Sequence, residues 1–348
     1  LFYRILEELS LVNKITILRP PVYDIIQFPG VKIALHNKVE RTIDEIINSF
    51  PREKESIRIF FELITKEDLT FEFYKYKNKT FQNLIEDYFT NKRLKFLLTT
   101  LRIDSYKHCF DTSAIADVML IRGNLIAGGY FPKGGMQTLV NLFADSFESM
   151  GGEICRKMLV EKIYMERGRA KGVVINANQL IESKIVVSNS DATFTYKELL
   201  SDANIDHGIL QKINEMRPST SLFVVYLAVG QSLRQYLDYE CAAVWDFFKS
   251  IGDGIVCTLP SVVDPDLAPK GHDSVTMYYG MPYKDEEYWR KNKERTLDMF
   301  LQRFLRVFPE VKNDILFYEA QTPIDLANRT LNRCGASRGW EPSVYGED

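Results

Sequence analysis

Three features of the chain predict a fold of mixed α/β and α+β class. The first 115 residues and a late stretch, Asp285 to Phe308, carry apolar residues at helical spacing. Between them a glycine-rich turn feeds a helix and then a meander of short strands, the order β-α-βββ. The segment Ser219 to Gly230 places Leu222, Val224, Tyr226 and Ala228 on one face and Phe223, Val225, Leu227 and Val229 on the other. Neither face is polar, so this strand lies between two layers or lines an apolar cavity. Such an order suits sheets layered with helices rather than a regular doubly wound domain.

The N-terminal helices are marked by capping and spacing. Thr42 and Glu45 read as a capping box ahead of Ile43, Ile46, Ile47 and Phe50, with Pro51 as the stop. A second helix starts near Thr80 with Phe81, Leu84, Ile85 and Tyr88, and a third carries Leu94, Leu97, Leu98 and Leu101. Pro20, Pro21 and Pro29 keep Ile17 to Ile33 extended. Further on, Ile126 to Phe131 reads as a strand and Pro132 to Met136 as a tight turn. The helix it feeds presents Leu139, Phe143, Phe147 and Met150, and ends at a left-handed cap, Gly151-Gly152.

Three extended segments follow, Lys157 to Met165, Ala170 to Asn176 and Leu180 to Ser188. The run Ile185-Val186-Val187 is apolar on both faces, as in a strand buried within an α/β layer. In the second half, Ile209 to Met216 reads as a helix, and Gly254 to Leu259 and Ser274 to Gly280 read as strands around the loop 260–270. The long helix from Asp285 carries Trp289, Leu297, Phe300, Phe304 and Phe308 at helical spacing and closes at Pro309.

Composition narrows the function. At 348 residues the chain fits two domains or one intertwined unit, and its net charge of −3 lacks the positive excess that nucleic acid calls for. No apolar run reaches the roughly 20 residues of a membrane-spanning helix. Cys109, Cys155, Cys241, Cys257 and Cys334 are scattered and odd in number, which fits reduced thiols in a cytoplasm-like compartment. The four histidines, His36, His108, His207 and His272, sit at no metal-ligand spacing, and neither a nucleophile elbow nor a phosphate-cradling glycine motif occurs.

Several segments, taken in order, resemble the phytoene desaturases, carotenoid isomerases and related flavoproteins. Gly128-Gly129-Tyr130-Phe131-Pro132-Lys133-Gly134-Gly135-Met136 is similar to their G-G-x-x-P-x-G-G-M segment. Val160 to Ile163, Gly168-Arg169 and Gly172-Val173-Val174 follow as the family's strand meander, and Val187-Ser188-Asn189-Ser190-Asp191-Ala192 resembles its V-S-N-x-D segment. Met216 to Ser221, the loop Pro260-Ser261-Val262-Val263-Asp264-Pro265-Asp266-Leu267-Ala268-Pro269, and Gly335-Ala336-Ser337-Arg338-Gly339-Trp340 complete the series.

The resemblance implies an FAD-binding, Rossmann-like domain of amine-oxidase type interleaved with a substrate domain of mixed sheet and helices. Residues 121–204 and 326–348 would belong to the cofactor half, and 1–120 and 205–325 to the substrate half. The G-x-G-x-x-G unit that opens such folds is absent from this sequence; with Leu1 in place of Met, the chain reads as an internal part of a longer polypeptide. By the same resemblance, Val160 would pair through its backbone with the adenine edge, the other reading being an ordinary core valine. Asn189, Asp191 and Ala192 would pass close to FAD, Gly134, Gly135 and Met136 would border the cavity, and Gly335, Gly339 and Trp340 would approach the flavin ring.

The implied activity is an FAD-dependent oxidoreduction of a long apolar polyene, carotenoid or retinoid-like, by desaturation, saturation or isomerisation. The alternatives are an amine oxidase and a flavoprotein-like binding module without catalysis. The 22 Phe and 18 Tyr suit a dry tunnel for such a substrate, and equally a large ordinary core. Asn91 to Arg102, with Lys92, Arg93 and Lys95 beside Leu97 and Leu98, could rest on a bilayer and make the protein a peripheral one, or pack on the substrate domain.

Overall fold

The computed structural model describes residues 2–66, 74–101, 112–176, 178–248 and 253–341. Helix α1 (Phe2–Glu8) leads to the short strand β1 (Ile17–Leu18) and then to a hairpin, β2 (Val22–Phe28) and β3 (Val31–His36), turned by Pro29 and Gly30. Helices α2 (Val39–Ser49), α3 (Lys54–Thr65), α4 (Phe81–Tyr88) and α5 (Lys92–Thr100) follow. The predicted capping box at Thr42 is corrected: α2 begins one turn earlier, and the Thr42 hydroxyl instead accepts from the His36 N–H at 2.8 Å. At Thr80 the box is present, with Asn83 as its partner.

Helix α6 (Ala114–Ala127) replaces the predicted strand at 126–131, of which only β4 (Phe131–Pro132) remains. Ser113 caps α6, which is apolar nearly all round, so its sequence shows no helical stripe. Helix α7 (Met136–Ser149) follows the glycine turn and closes at Gly151, whose φ is +89°. A three-stranded antiparallel sheet comes next, built from β5 (Val160–Glu166), β6 (Arg169–Ile175) and β7 (Gln179–Glu182), with β5 at one edge.

The expected burial of Ile185 and Val187 is overturned, since they are 77% and 87% exposed. Their extended backbone lies outside the strands of the described residues, so no layer covers it there. Helix α7 likewise has no buried residue, and Met136, Val140, Phe147 and Met150 are exposed.

After α8 (His207–Glu215) come the strands β8 (Ser221–Val229), β9 (Ala243–Phe247), β10 (Gly254–Thr258) and β11 (Asp273–Met281). Helix α9 (Glu286–Val307), strand β12 (Ile315–Gln321) and helix α10 (Pro323–Thr330) complete the chain's elements. The seven-stranded sheet runs β12-β8-β11-β10-β9-β2-β3, antiparallel except where β2 joins β9. Its last two strands, β2 and β3, thus come from the first 36 residues and share one core with the second half.

The two faces of this sheet differ. On one, Phe223, Val225, Leu227 and Val229 are buried. Helix α9 packs there, with Phe300 at 5.1 Å and Trp289 at 5.6 Å from the Phe223 ring. On the other, α5 covers one end, where Phe96 meets Phe28 at 4.9 Å and Phe247 at 5.7 Å. Toward β8 this second face opens, and Leu222, Val224 and Tyr226 keep part of their surface.

The apolar face of α5 is core, with Leu94, Leu97 and Leu98 each 0% exposed. Of the two readings of this helix, packing on the substrate domain is the one its buried face bears out, and Arg102 lies outside the described residues. No helix among the described residues is long and apolar enough to cross a membrane.

Candidate functional site

Two clusters gather the motif residues. In the first, the turn before α7 meets the loop that follows β10, 130 residues away: Gly134 N–H donates to the buried Asp264 carboxylate at 2.7 Å, and Lys133 pairs with Asp266 at 3.3 Å. Asp264 is positioned from the sheet. Asp273, at the start of β11, accepts from the Ser261 hydroxyl and from Leu233 N–H, both at 2.6 Å, which fixes the loop to the strand. A carboxylate aimed at one N–H in a buried setting forms a strong, orienting bond. Asp264 belonged to a quoted motif, but nothing in the linear pattern showed that it reaches the glycine turn.

Gly135 adopts φ +84° and ψ 177°, a region open almost solely to glycine, and an added Cβ would meet only Leu267 at 3.7 Å. The position is therefore strained for any side chain yet spatially open, and the first turn of α7 has no side-chain cap over it. Gly135→Ala is expected to cost about 1 to 3 kcal/mol through the backbone. Apoprotein melting reads that cost. Flavin affinity of the folded fraction reads the cavity, and an unchanged affinity would assign the turn to architecture alone.

In the second cluster, one Asp191 oxygen accepts from Thr193 N–H at 2.7 Å and the other from Arg333 N–H at 3.3 Å. The final motif then pairs with the segment entering β8. Ser219 N–H donates to Gly339 O at 2.8 Å, the Ser337 hydroxyl to Thr220 O at 2.7 Å, and Pro218 bridges Trp340. Gly335 is enclosed, since a Cβ there would lie 2.6 Å from Pro323 O, so its absence of a side chain serves packing. Gly339 has open space in the same position. Ala192 opens a short helical turn and is half-buried, Asn189 is exposed, and Trp340 is half-buried. Val160 starts β5, whose outer edge pairs with no strand among the described residues, and β5 packs on the turn Thr195–Leu199.

The third element of the site, legible only in the fold, is the second face of the seven-stranded sheet, covered at its β2 end and open toward β8. Cross-strand register sets two rows on it. One runs Ile26, Trp245, Val256, Tyr278, Val224 and the other Asp24, Ala243, Thr258, Thr276, Tyr226. The Trp245 and Tyr278 rings stand edge to face at 6.5 Å. The first row is apolar but for the Tyr278 hydroxyl and the Trp245 N–H, whereas the second carries Thr258, Thr276 and Tyr226 besides Asp24, whose carboxyl burial pushes up to about 7. The Trp245 indole N–H lies beside that carboxyl and partly offsets the rise, without completing a hydrogen bond of normal geometry. The Tyr278 and Tyr23 hydroxyls are held above their ordinary range by burial and by the same carboxyl. The Asp within the otherwise apolar run from Val22 to Ile26 was the available signal for this site.

Residues outside the site are accounted for locally. His36 is buried, with its Nε2 3.3 Å from Glu45 and its ring against Tyr239. His207 caps nothing itself, since Asp206 holds the start of α8, and His272 Nδ1 lies 3.2 Å from Lys270 O. His108 and Cys109 lie outside the described residues. A cavity of about 390 Å³ is lined by Lys293, Glu319, Asn328 and Arg329, and one of about 610 Å³ by Phe28 and Arg306; neither is lined by a residue that the resemblance places at FAD.

The profile of the family described as flavin containing amine oxidoreductase matches residues 25–322. The chain belongs to this family. Prolycopene isomerase 1, chloroplastic, of an Oncidium hybrid cultivar is 24% identical over 340 residues, covering 84% of this chain and 56% of that protein. The neurosporene-forming phytoene desaturase of Rhodobacter capsulatus is 26% identical over 240 residues, covering 62% of this chain and 45% of that one. The chain thus spans about half the length of the curated relatives it matches.

Among solved structures, an oxidoreductase from Methanosarcina mazei superposes with a TM-score of 0.68 at 17% identity, covering 92% of this chain and 72% of that one. A putrescine oxidase variant reaches 0.62 at 11% identity, covering 99% and 75%. These likenesses establish the amine-oxidase type of fold, and the family's cofactor is FAD.

Residues of this chain fit that cofactor at three points. The outer edge of β5 at Val160, which pairs with no strand among the described residues, can pair with a base edge, the open backbone at Gly135 and Gly339 admits close approach, and the Asn189 side chain is exposed.

Proposed function

We propose that the full polypeptide is an FAD-dependent oxidoreductase acting on a long apolar polyene by desaturation, saturation or isomerisation. The observation that carries this reading is the second face of the sheet, a floor buried at Ile26, Trp245 and Val256 and open at Val224, Tyr226 and Tyr278, which suits an extended hydrocarbon. The relatives named for prolycopene and phytoene agree with it.

In this reading the chain binds FAD through Gly134, Gly135, Met136, Val160, Asn189, Asp191, Ala192, Gly339 and Trp340, while the enclosed Gly335 holds the last of these segments in place by packing. FAD supplies the hydride chemistry when bound. The chain's own task is to orient the polyene along the sheet and exclude water. Residues 121–204 and 326–348 serve the cofactor and the rest the substrate.

Amine oxidation fits less well, because burial disfavours the charged form of Asp24, the carboxyl within the floor, and Glu319, opposite Tyr226 on the same face, stands exposed at the β12 edge. The test is product analysis with the flavin-loaded full-length protein. Polyene products that differ from the substrate by two hydrogens, or only in double-bond geometry, are expected. Turnover of alkyl amines with none of polyenes would overturn the proposal, and a preparation that never takes up FAD would favour a binding module.

A further inference from the structure

We propose that Asp24 and Trp245 together form a specificity pair that receives a neutral oxygen, a hydroxyl or a carbonyl, at one end of an otherwise hydrocarbon substrate. The inference rests on the polyene reading and deepens it. Asp24 lies on β2 and Trp245 on the adjacent β9, and the register puts them on one face, in neighbouring rows. Their surroundings on that face are Ile26, Ala243 and Val256, with Tyr278 beyond. Trp245 is 3% exposed and its Nε1 has no hydrogen-bond partner of normal geometry. Among the described residues no ion pair involves Asp24.

A buried N–H whose neighbouring acceptor, here the Asp24 carboxyl, completes no bond of normal geometry is rare enough in folded proteins to call for a reason. Here two polar groups converge on the same apolar floor. The indole can only donate, and a carboxyl that keeps its proton through desolvation both donates and accepts. An incoming oxygen with lone pairs satisfies the indole and the acid together. A purely hydrocarbon end leaves the two with only their imperfect contact with each other, and a site built around polar groups discriminates against the analogue that lacks the matching atom. The other titratable groups facing the carboxyl are the Tyr23 and Tyr278 hydroxyls and the Cys241 thiol, which is pushed up to about 12 by burial and by Asp24, so all of them stay neutral.

Equilibrium dialysis with the flavin-loaded full-length protein tests the pair, using all-trans-retinol and the same polyene ending in a methyl group. The wild type is expected to hold the alcohol at least about tenfold more tightly, the worth of one good hydrogen bond. Asp24→Asn, which still donates and accepts, should keep most of that preference. Asp24→Leu should abolish it, with the flavin spectrum and the affinity for the hydrocarbon retained. Equal binding of alcohol and hydrocarbon by the wild type, or an unchanged preference in Asp24→Leu, would overturn the inference and leave the polyene reading standing. A wild type that carries FAD yet binds neither ligand would overturn the polyene reading itself.

Discussion

Replacing both Leu97 and Leu98 with Ser is expected to unfold the substrate half of the protein rather than release it from a membrane. Both side chains are fully buried, and α5 holds the end of the sheet through the Phe96 contacts with Phe28 and Phe247. Truncating one buried Leu costs about 2 to 5 kcal/mol. Adding a hydroxyl without a partner raises the cost further. Even with imperfect additivity between neighbours, the pair removes a large share of the roughly 5 to 15 kcal/mol that keeps a domain folded.

Lys92 is exposed at the start of the same helix, so Lys92→Glu should leave the melting temperature nearly unchanged. Thermal melts of the two variants, read beside liposome co-sedimentation, separate the cases. A folded double-Ser variant that has lost liposome binding would restore the bilayer reading.

That helix shows what was legible and what was not. The spacing of Leu94, Leu97, Leu98 and Leu101 defined a helix face, but spacing is the same whether the face meets lipid or protein. Capping chemistry was legible at Thr80, where Asn83 returns the bond, and misleading at Thr42, whose hydroxyl serves the His36 amide from inside the helix. Helix α6 was misread at its end because a segment apolar all round carries no stripe. The candidate cofactor residues were legible as motifs, yet their assembly depends on partners far along the chain, as when Asp264 reaches Gly134 and Asp191 reaches Arg333. Asp24 and Trp245 stand 221 positions apart, and only the parallel pairing of β2 with β9 makes them neighbours.

Asp24 also sets a pH dependence of stability. Burial raises its folded value to about 7, against the ordinary 3.8 that the unfolded chain would show. Between those two values the folded state holds a proton that the unfolded state has released, so stability falls as pH rises and levels off above the folded value. The slope is 1.36 kcal/mol per pH unit for a single group, which gives a loss of about 2 to 3 kcal/mol from pH 5 to pH 8. Asp24→Asn cannot titrate and should lack this component. Denaturant unfolding of the full-length protein at pH 5 and pH 8 is expected to show the variant gaining that amount on the wild type as pH rises. Trp245 gives a local check, because its indole lies beside the carboxyl and its fluorescence should titrate near neutrality in the wild type and stay flat in the variant. Parallel pH profiles for the two proteins would mean that the carboxyl is ionised in the folded state throughout. An anion would then face the substrate floor, the arrangement an amine substrate requires, and the case for a neutral oxygen would fall with it.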